Sequence, residues 1–550
     1  MKSLSITGLT LLFILFSHFL KAQEVIGDLE LKDFPTESPY IYPYEYVNYQ
    51  SEHIYLAHIP ALRINRGEFV HLWKSEKGNY RKRKLTKYNL FMEILWETEF
   101  KLDQEEDIFH FFRHNDQLIV LTREYVFPSR THWIKARVFS TEDGEQIKSL
   151  LLWNQEEKRE NYIHFETSPD SSKLMLFQFR NENPRRRVRI SSDHILRNEK
   201  EGYRHYNATE IRYITFNNDL SPVDSGRVKI PNRKLISLHF QMDNQGNMYH
   251  TVLQKPKTLK VYQVKNGDQK MLEYEDFAEL KDIKEPYTTH LPPTVSDQER
   301  LYIAISDRVL RGKKKGTKAY QVINFDFAKD EVDLSRKIEI NSTLLVNAEK
   351  QRESFGLRPL KRFDEYMLRE IIEMDDKSLW LITQKYQGID YHSTGREQTV
   401  RTIFEQVMEE LILYEFDSTG ALTKVIFVPS SQKNEILPEQ LSQFYSLNVD
   451  KAKKELRIIT REPSEDDLRG PERIYYRKVD LKKPDISPRK ILYEGKRRSQ
   501  YLVKGYIVWL NPDIVSFIMI DGRDGKAYGA VINVEGDTDD EDGKKKKWWR

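Results

Sequence analysis

A paired-hairpin unit recurs along the chain, and that recurrence limits the fold more than any other feature. Its first half is a strand, a polar turn and a strongly apolar strand. The clearest copies lie at 110–122, 164–177, 239–249, 371–383 and 445–460, with looser ones at 46–59, 288–305 and 500–510. Its second half is an alternating strand that runs into Asp or Asn, turns and returns. Examples are Val138-Phe-Ser-Thr-Glu-Asp-Gly, Val261-Tyr-Gln-Val-Lys-Asn-Gly, Leu413-Tyr-Glu-Phe-Asp-Ser-Thr-Gly and Phe517-Ile-Met-Ile-Asp-Gly. Asp-Gly and Asn-Gly accept the positive φ of tight hairpins, and the flanking alternation marks strands with one buried and one wetter face. From Asn89 to Arg523 these turns recur about every 62 residues, which is room for four strands.

A lone four-stranded sheet cannot cover both of its faces, whereas copies arranged round an axis cover each other and leave only short edges. The repeat therefore predicts an all-β chain: a single eight-bladed β-propeller of four-stranded antiparallel blades over residues 46–534, with seven blades as the alternative. Such rings grow by repetition, so 550 residues need not mean several domains. Helical periodicity is scarce, and short helices are expected only at 402–409 and 437–444.

Some stretches resemble known sequences. Ser168-Pro-Asp-Ser-Ser-Lys-Leu-Met-Leu-Phe177 resembles the Ser-Pro-Asp-Gly-Lys turn of TolB-type propeller repeats, with Ser171 where glycine is usual. Residues 365–386 are similar to a segment of large exported bacterial proteins of unknown function. The first resemblance implies a propeller, and neither carries a catalytic residue across, because a fold of this kind does not name an activity.

The N-terminus reads as an export signal. Lys2 precedes an apolar run at residues 9–20, and Ala22 offers a small residue for cleavage. That run is well short of the roughly 20 residues a spanning helix needs. The expected location is therefore outside the cytoplasm: periplasmic, outer-membrane-associated or extracellular. Residues 23–45 form a Tyr-rich segment in which Tyr40, Tyr42 and Tyr44, with Tyr46 beyond, alternate around Pro43, and they are expected to supply a ring-closing strand. Residues 535–550, acidic and then basic, read as a flexible tail.

The chemistry the sequence excludes is as informative. With no cysteine the chain has no disulfide framework, thiol nucleophile or thiolate metal site. No Gly-x-Ser-x-Gly elbow occurs, and Gly312-Lys-Lys-Lys-Gly-Thr-Lys318 lacks the spacing of a phosphate loop. His110 and His114 are four apart, but Phe stands at 111 where a helical zinc motif needs Glu. No metal and no cofactor are expected.

In a propeller the turns within hairpins lie on one face, and the connections between hairpins and between blades lie on the other. The long segments 180–209, 341–364, 388–407 and 429–441 all belong to that second face. Three basic runs fall in or beside the same class of connection: Arg81, Lys82, Arg83 and Lys84; Arg185, Arg186 and Arg187; and Lys313, Lys314 and Lys315. On a chain of formal charge +3, clustering on one face would create a local positive field. The expected function is an exported non-catalytic propeller that binds a protein or anionic polymer partner through its loop-rich face. Nucleic acid is not an expected partner, since no aromatic platform interleaves the basic runs. The alternative is a carbohydrate-active hydrolase or lyase with its site at the central channel.

Overall fold

The computed structural model describes residues 25–31 and 61–535, except for connecting segments of which the longest are 155–162, 181–189, 192–203, 276–293, 355–365, 437–444 and 464–471. The export signal, Tyr40–Tyr46, Arg185–Arg187, Lys313–Lys315, the 437–444 segment and the tail beyond Glu535 lie outside the described residues.

Eight antiparallel sheets follow one another round an axis. Blades 1 to 7 occupy 61–101, 106–154, 163–229, 235–274, 294–339, 366–428 and 445–494, and blade 8 combines 500–533 with 25–31. Each blade steps outward through four strands, so the first strand lines the hub. Two edges are broken in two: the outer strand of blade 7 (Asp485–Ile486 and Lys490–Glu494) and the inner strand of blade 8 (Gln500–Leu502 and Val508–Asn511). The 402–409 segment is strand rather than helix. It belongs to Val400–Phe416, which pairs along its length with Leu379–Thr394, because cross-strand partners there outcompete local helical preference.

Burial explains the sequence pattern. The second strand of each blade is covered by neighbours on both faces, so it reads as an unbroken apolar run. Lys173–Arg180 is buried at every position but its ends. Leu174 and Leu176 pack with Ile119 and Leu121 of blade 2, while Met175 and Phe177 pack with Phe240 and Met248 of blade 4. Outer strands such as Ile94–Lys101 keep one wet face and alternate. Apolar clusters of this kind fill the successive interfaces from blade 1 to blade 8.

A polar latch recurs between blades. Lys87 of blade 1 donates to the Thr141 carbonyl of blade 2 at 3.0 Å, and Trp96 Nε1 reaches the same oxygen at 3.2 Å. Lys270 of blade 4 donates to the Phe327 carbonyl of blade 5 at 2.7 Å, and Lys424 of blade 6 to the Leu481 carbonyl of blade 7 at 3.0 Å. Each acceptor immediately follows the third strand of its blade, so the outer-hairpin turn of one blade is fastened to the blade before it.

The ring is closed by the N-terminal strand Val25–Leu31, which pairs antiparallel with Lys526–Asn533 as the outermost strand of blade 8. It lies upstream of the tyrosines from which a closing strand was expected. Removing residues 25–31 strips a strand of backbone partners from Lys526–Asn533, at roughly 1 kcal/mol per lost hydrogen bond. The truncated chain is expected to unfold at lower urea with a smaller m-value, as blade 8 detaches first; an unchanged urea transition would show that this strand does not hold the ring.

Candidate functional site

Two places gather functional side chains: the face where blades are joined, and the hub.

On the joining face, blade 6 is built outward. The helix Ser342–Ser354 enters it, the hairpin Leu379–Thr394/Val400–Phe416 rises beyond the other strands, and Gln432–Ile436 pairs with the raised part of Val400–Phe416. Asn341 caps the helix, its side-chain oxygen accepting from the Leu344 amide at 2.9 Å. Arg352, fully buried, ties the helix down by donating to Glu410 and, at 2.9 Å, to Glu409. Lys385 also donates to Glu409, and the Tyr366 hydroxyl to Glu410. Burial pushes the Glu409 carboxyl up, but Lys385 and Arg352 outweigh it and hold the pKa below the usual carboxylate range. Two cations and two carboxylates thus balance under the platform.

The first basic run is not a loop. Arg81–Lys84 sit inside the strand Asn79–Asn89; Arg83 is buried and Lys84 pairs with Glu97 at 3.1 Å, so they are strand residues rather than a free basic loop. The other two runs belong to the connections after the second strands of blades 3 and 5.

The hub carries a pattern that the repeat copies already display. His110, His164 and His239 occupy one register position on the innermost strands of blades 2, 3 and 4, opposite Leu121, Phe177 and Thr251. Glu370 takes that position in blade 6, opposite Ile382. Beta-bulges precede it in blades 2, 4 and 6, after Ile108, Ser237 and Leu368. The His110 ring lies 4.3 Å from that of Phe165 in blade 3 and 5.4 Å from Phe112. The His164 ring lies 5.4 Å from Phe177, which stacks on Phe240 of blade 4 at 4.1 Å. An aromatic seam therefore runs from blade 2 to blade 4 around the axis.

Glu166 stands two residues beyond His164. Its partner in register is Met175, which places it on the face of blade 3 that meets blade 4. Other inner-strand acids are engaged. Glu106 accepts from Arg137 Nε at 3.1 Å and from Thr122, Glu373 accepts from the Tyr302 hydroxyl at 3.0 Å, and Asp450 lies 3.9 Å from Arg457. Among the described residues Glu166 has no such partner, and burial alone pushes its pKa up to about 8. Burial likewise draws His110 down to about 3. The sequence signal for this site is the His-Phe pair that opens three repeat copies, at 110–111, 164–165 and 239–240.

Among the described residues no three His, Asp or Glu side chains are arranged to hold a metal, and no helix is long and apolar enough to cross a membrane. No family model and no curated protein sequence matches the chain. Solved structures similar to it include a prolyl endopeptidase (12% identity, 86% of this chain and 55% of that one, TM-score 0.37). Another is the propeller domain of the trilobed protease from Pyrococcus furiosus (7%, 81% and 100%, 0.33). A third is an ulvan lyase of a polysaccharide lyase family (8%, 77% and 91%, 0.35). The chain thus spans about half the length of the prolyl endopeptidase, and likenesses this distant carry no activity across.

Two outcomes are expected. Arg352→Met leaves Glu409 and Glu410 short of a cation and costs about 3–5 kcal/mol in urea unfolding, part of which Glu410→Gln restores in the double variant. The hub residues give opposite pH signatures. Glu166 titrates at 4.5 when unfolded and about 8 when folded, so its contribution to stability is whole below pH 4.5 and lost as pH rises to 8. His110 titrates at 6.5 unfolded and about 3 folded, so its contribution is whole above pH 6.5 and lost as pH falls toward 3. Glu166→Gln should raise Tm over the parent at pH 8 and not at pH 4, and His110→Phe the reverse. Identical Tm–pH profiles for parent and variants would contradict this assignment.

Proposed function

We propose that this chain is an exported, non-catalytic β-propeller that binds a protein or anionic polymer partner on the face where its blades are joined. The platform on blade 6 carries the reading. A capped helix, a raised hairpin and an added edge strand gather on that one face, and buried charges fix the helix. A rigid scaffold that holds irregular segments in place is a common way to present a recognition surface. The basic residues at 185–187 and 313–315 belong to connections of the same class, whereas blade 1 adds little, since Glu97 answers Lys84.

Export rests on residues 1–22, and the closing strand begins at Val25, so cleavage after Ala22 leaves the ring whole. TolB-like repeats are supported by the Ser168-Pro-Asp turn, in which the Asp170 side chain accepts from Ser168 Oγ at 2.7 Å and from the Ser172 amide at 2.9 Å. A carbohydrate hydrolase at the channel has less support. It needs two free carboxyl groups about 5–10 Å apart, and Glu106, Glu373 and Asp450 are engaged.

The test is a crosslinked pull-down from cell envelopes with the tagged chain and with a variant whose residues 388–406 are replaced by Asn-Gly. That replacement joins Gln387 to Val407, which are already paired, and so should leave the blade intact. The expected result is a stoichiometric partner whose recovery falls at least tenfold in the variant. Equal recovery would remove the platform from the reading. Replacing 185–187 and 313–315 by Ser should weaken binding at low salt if the partner is anionic, and unchanged affinity would remove the charge component.

A further inference from the structure

The hairpin turns of the blades gather on the short-turn face, opposite the joining face, and blade 8 lacks one of them. In blades 2, 5 and 7 the residue after the third strand opens the outer-hairpin turn. Thr141, Phe327 and Leu481 there donate their amides to the Asp116, Glu299 and Lys454 carbonyls in the first turn of the same blade. Val534 of blade 8 does the same, donating to the Asp513 carbonyl at 2.8 Å. The likeness stops there. The outer strand of blade 8 is Val25–Leu31, so no turn follows Val534 and the chain goes on into residues 536–550. Glu535 fixes that departure against blade 7: its carboxylate accepts from the Tyr476 hydroxyl at 2.6 Å and lies 3.4 Å from Lys478. Burial pushes this carboxyl up, but the Tyr476 hydroxyl and Lys478 outweigh it and keep its pKa below the usual range.

Blade 7 meets this point with two lysine-bearing turns. The first carries Lys451, Lys453 and Lys454 and the second Lys482 and Lys483, and the Leu481 amide, bonded to the Lys454 carbonyl at 2.9 Å, holds the turns side by side. The acids around them are used within the ring. Glu455 accepts from Arg457 at 3.0 Å, Asp480 from the Lys482 amide at 2.8 Å, and Asp376 of blade 6 from Lys454. Lys451, Lys482 and Lys483 are exposed without a salt-bridge partner among the described residues, and exposed Lys453 has Asp450 at 3.9 Å.

We propose that the acidic run at 537–542 docks across these two turns and fastens blade 8 to blade 7, in the place of the missing outer-hairpin turn. The run holds Asp537, Asp539, Asp540, Glu541 and Asp542 and starts two residues after Glu535. Lys482 is four residues beyond Lys478, about 13 Å along a strand. The chain from Glu535 to Asp542 reaches at most about 25 Å, so the carboxylates extend to both turns. Exposed ion pairs are individually weak, but a short tether holds the run at an effective concentration in the millimolar range. The contact lies opposite the joining face and is independent of the partner proposed there.

The test is carbodiimide coupling of carboxylates to amines in an equal mixture of unlabelled and nitrogen-15-labelled full chain, read by mass spectrometry. The expected crosslinks join 537–542 to Lys451, Lys453, Lys482 or Lys483 within one copy. They should exceed tail crosslinks to Lys148 and Lys329, exposed lysines of blades 2 and 5, at least tenfold. Acetylation rates separate docking from mere nearness. The four lysines should react at least threefold more slowly in the parent than in the Asp537→Asn, Asp539→Asn, Asp540→Asn, Glu541→Gln, Asp542→Asn variant, with Lys148 and Lys329 unchanged. Crosslinks between copies would assign the run to a second chain and overturn the proposal, as would crosslinks without enrichment or equal acetylation rates. The crosslinks on the parent chain stand even if the variant does not fold.

Discussion

Every blade of this protein has two apolar faces and no means of covering either alone. That constraint organises the rest. A second strand such as Leu379-Trp-Leu-Ile382 is buried on both sides because Leu381 meets blade 5 while Trp380 and Ile382 meet blade 7. Burial worth roughly 1.5–3 kcal/mol per large side chain accrues only once both neighbours are in place. The ring is therefore cooperative by construction, and the outermost strand of blade 8, taken from the far end of the chain, closes the one seam that sequence order leaves open.

Polar groups at the interfaces follow from the same geometry. A turn at the end of the third strand exposes a carbonyl toward the preceding blade, and a lysine from that blade reaches it while laying its apolar stem along the interface. Two charge clusters sit where the ring is interrupted. Arg352 with Glu409 and Glu410 stabilises the place where a helix has been inserted. Arg457 with Asp513 and Glu535 sits where blade 7 meets the composite blade 8. Glu535, read from sequence as the first residue of a tail, also accepts from the Tyr476 hydroxyl at 2.6 Å and so belongs to the packed ring.

The architecture was legible because its signals are local. Asp-Gly turns, alternating outer strands and doubly buried second strands are written within ten residues of one another, and their recurrence carries the period to within one blade. Sites were less legible because they are assembled across blades. Nothing near Arg352 in sequence announces Glu409 and Glu410, 57 and 58 residues away. The basic run at 81–84 looked like a loop because charge alone does not distinguish a turn from a strand whose side chains find acids on the next strand, as Lys84 finds Glu97. The 402–409 segment looked helical for want of its partner, which lies in the other arm of the hairpin. Glu166 is conspicuous only once its neighbours are known to be partnered.

The two faces of the ring differ in what they can tolerate. Two turns on the short side press against the previous blade: a Cβ added at Gly144 would stand 2.7 Å from the Trp96 ring, and one at Gly420 would stand 2.1 Å from Ser335 Oγ. Both glycines also hold positive φ, 76° and 93°, so length and sequence are fixed there by packing and by backbone together. On the opposite side each doubling of a connection's length costs only about 0.6 kcal/mol of closure entropy. Long insertions accumulate on the joining face for that reason before any question of function arises. Selection then has two different materials to work with. On the joining face it can add elements, as it has on blade 6, and must anchor them with buried charge to make them rigid. On the short-turn face it can change only side chains within a fixed frame.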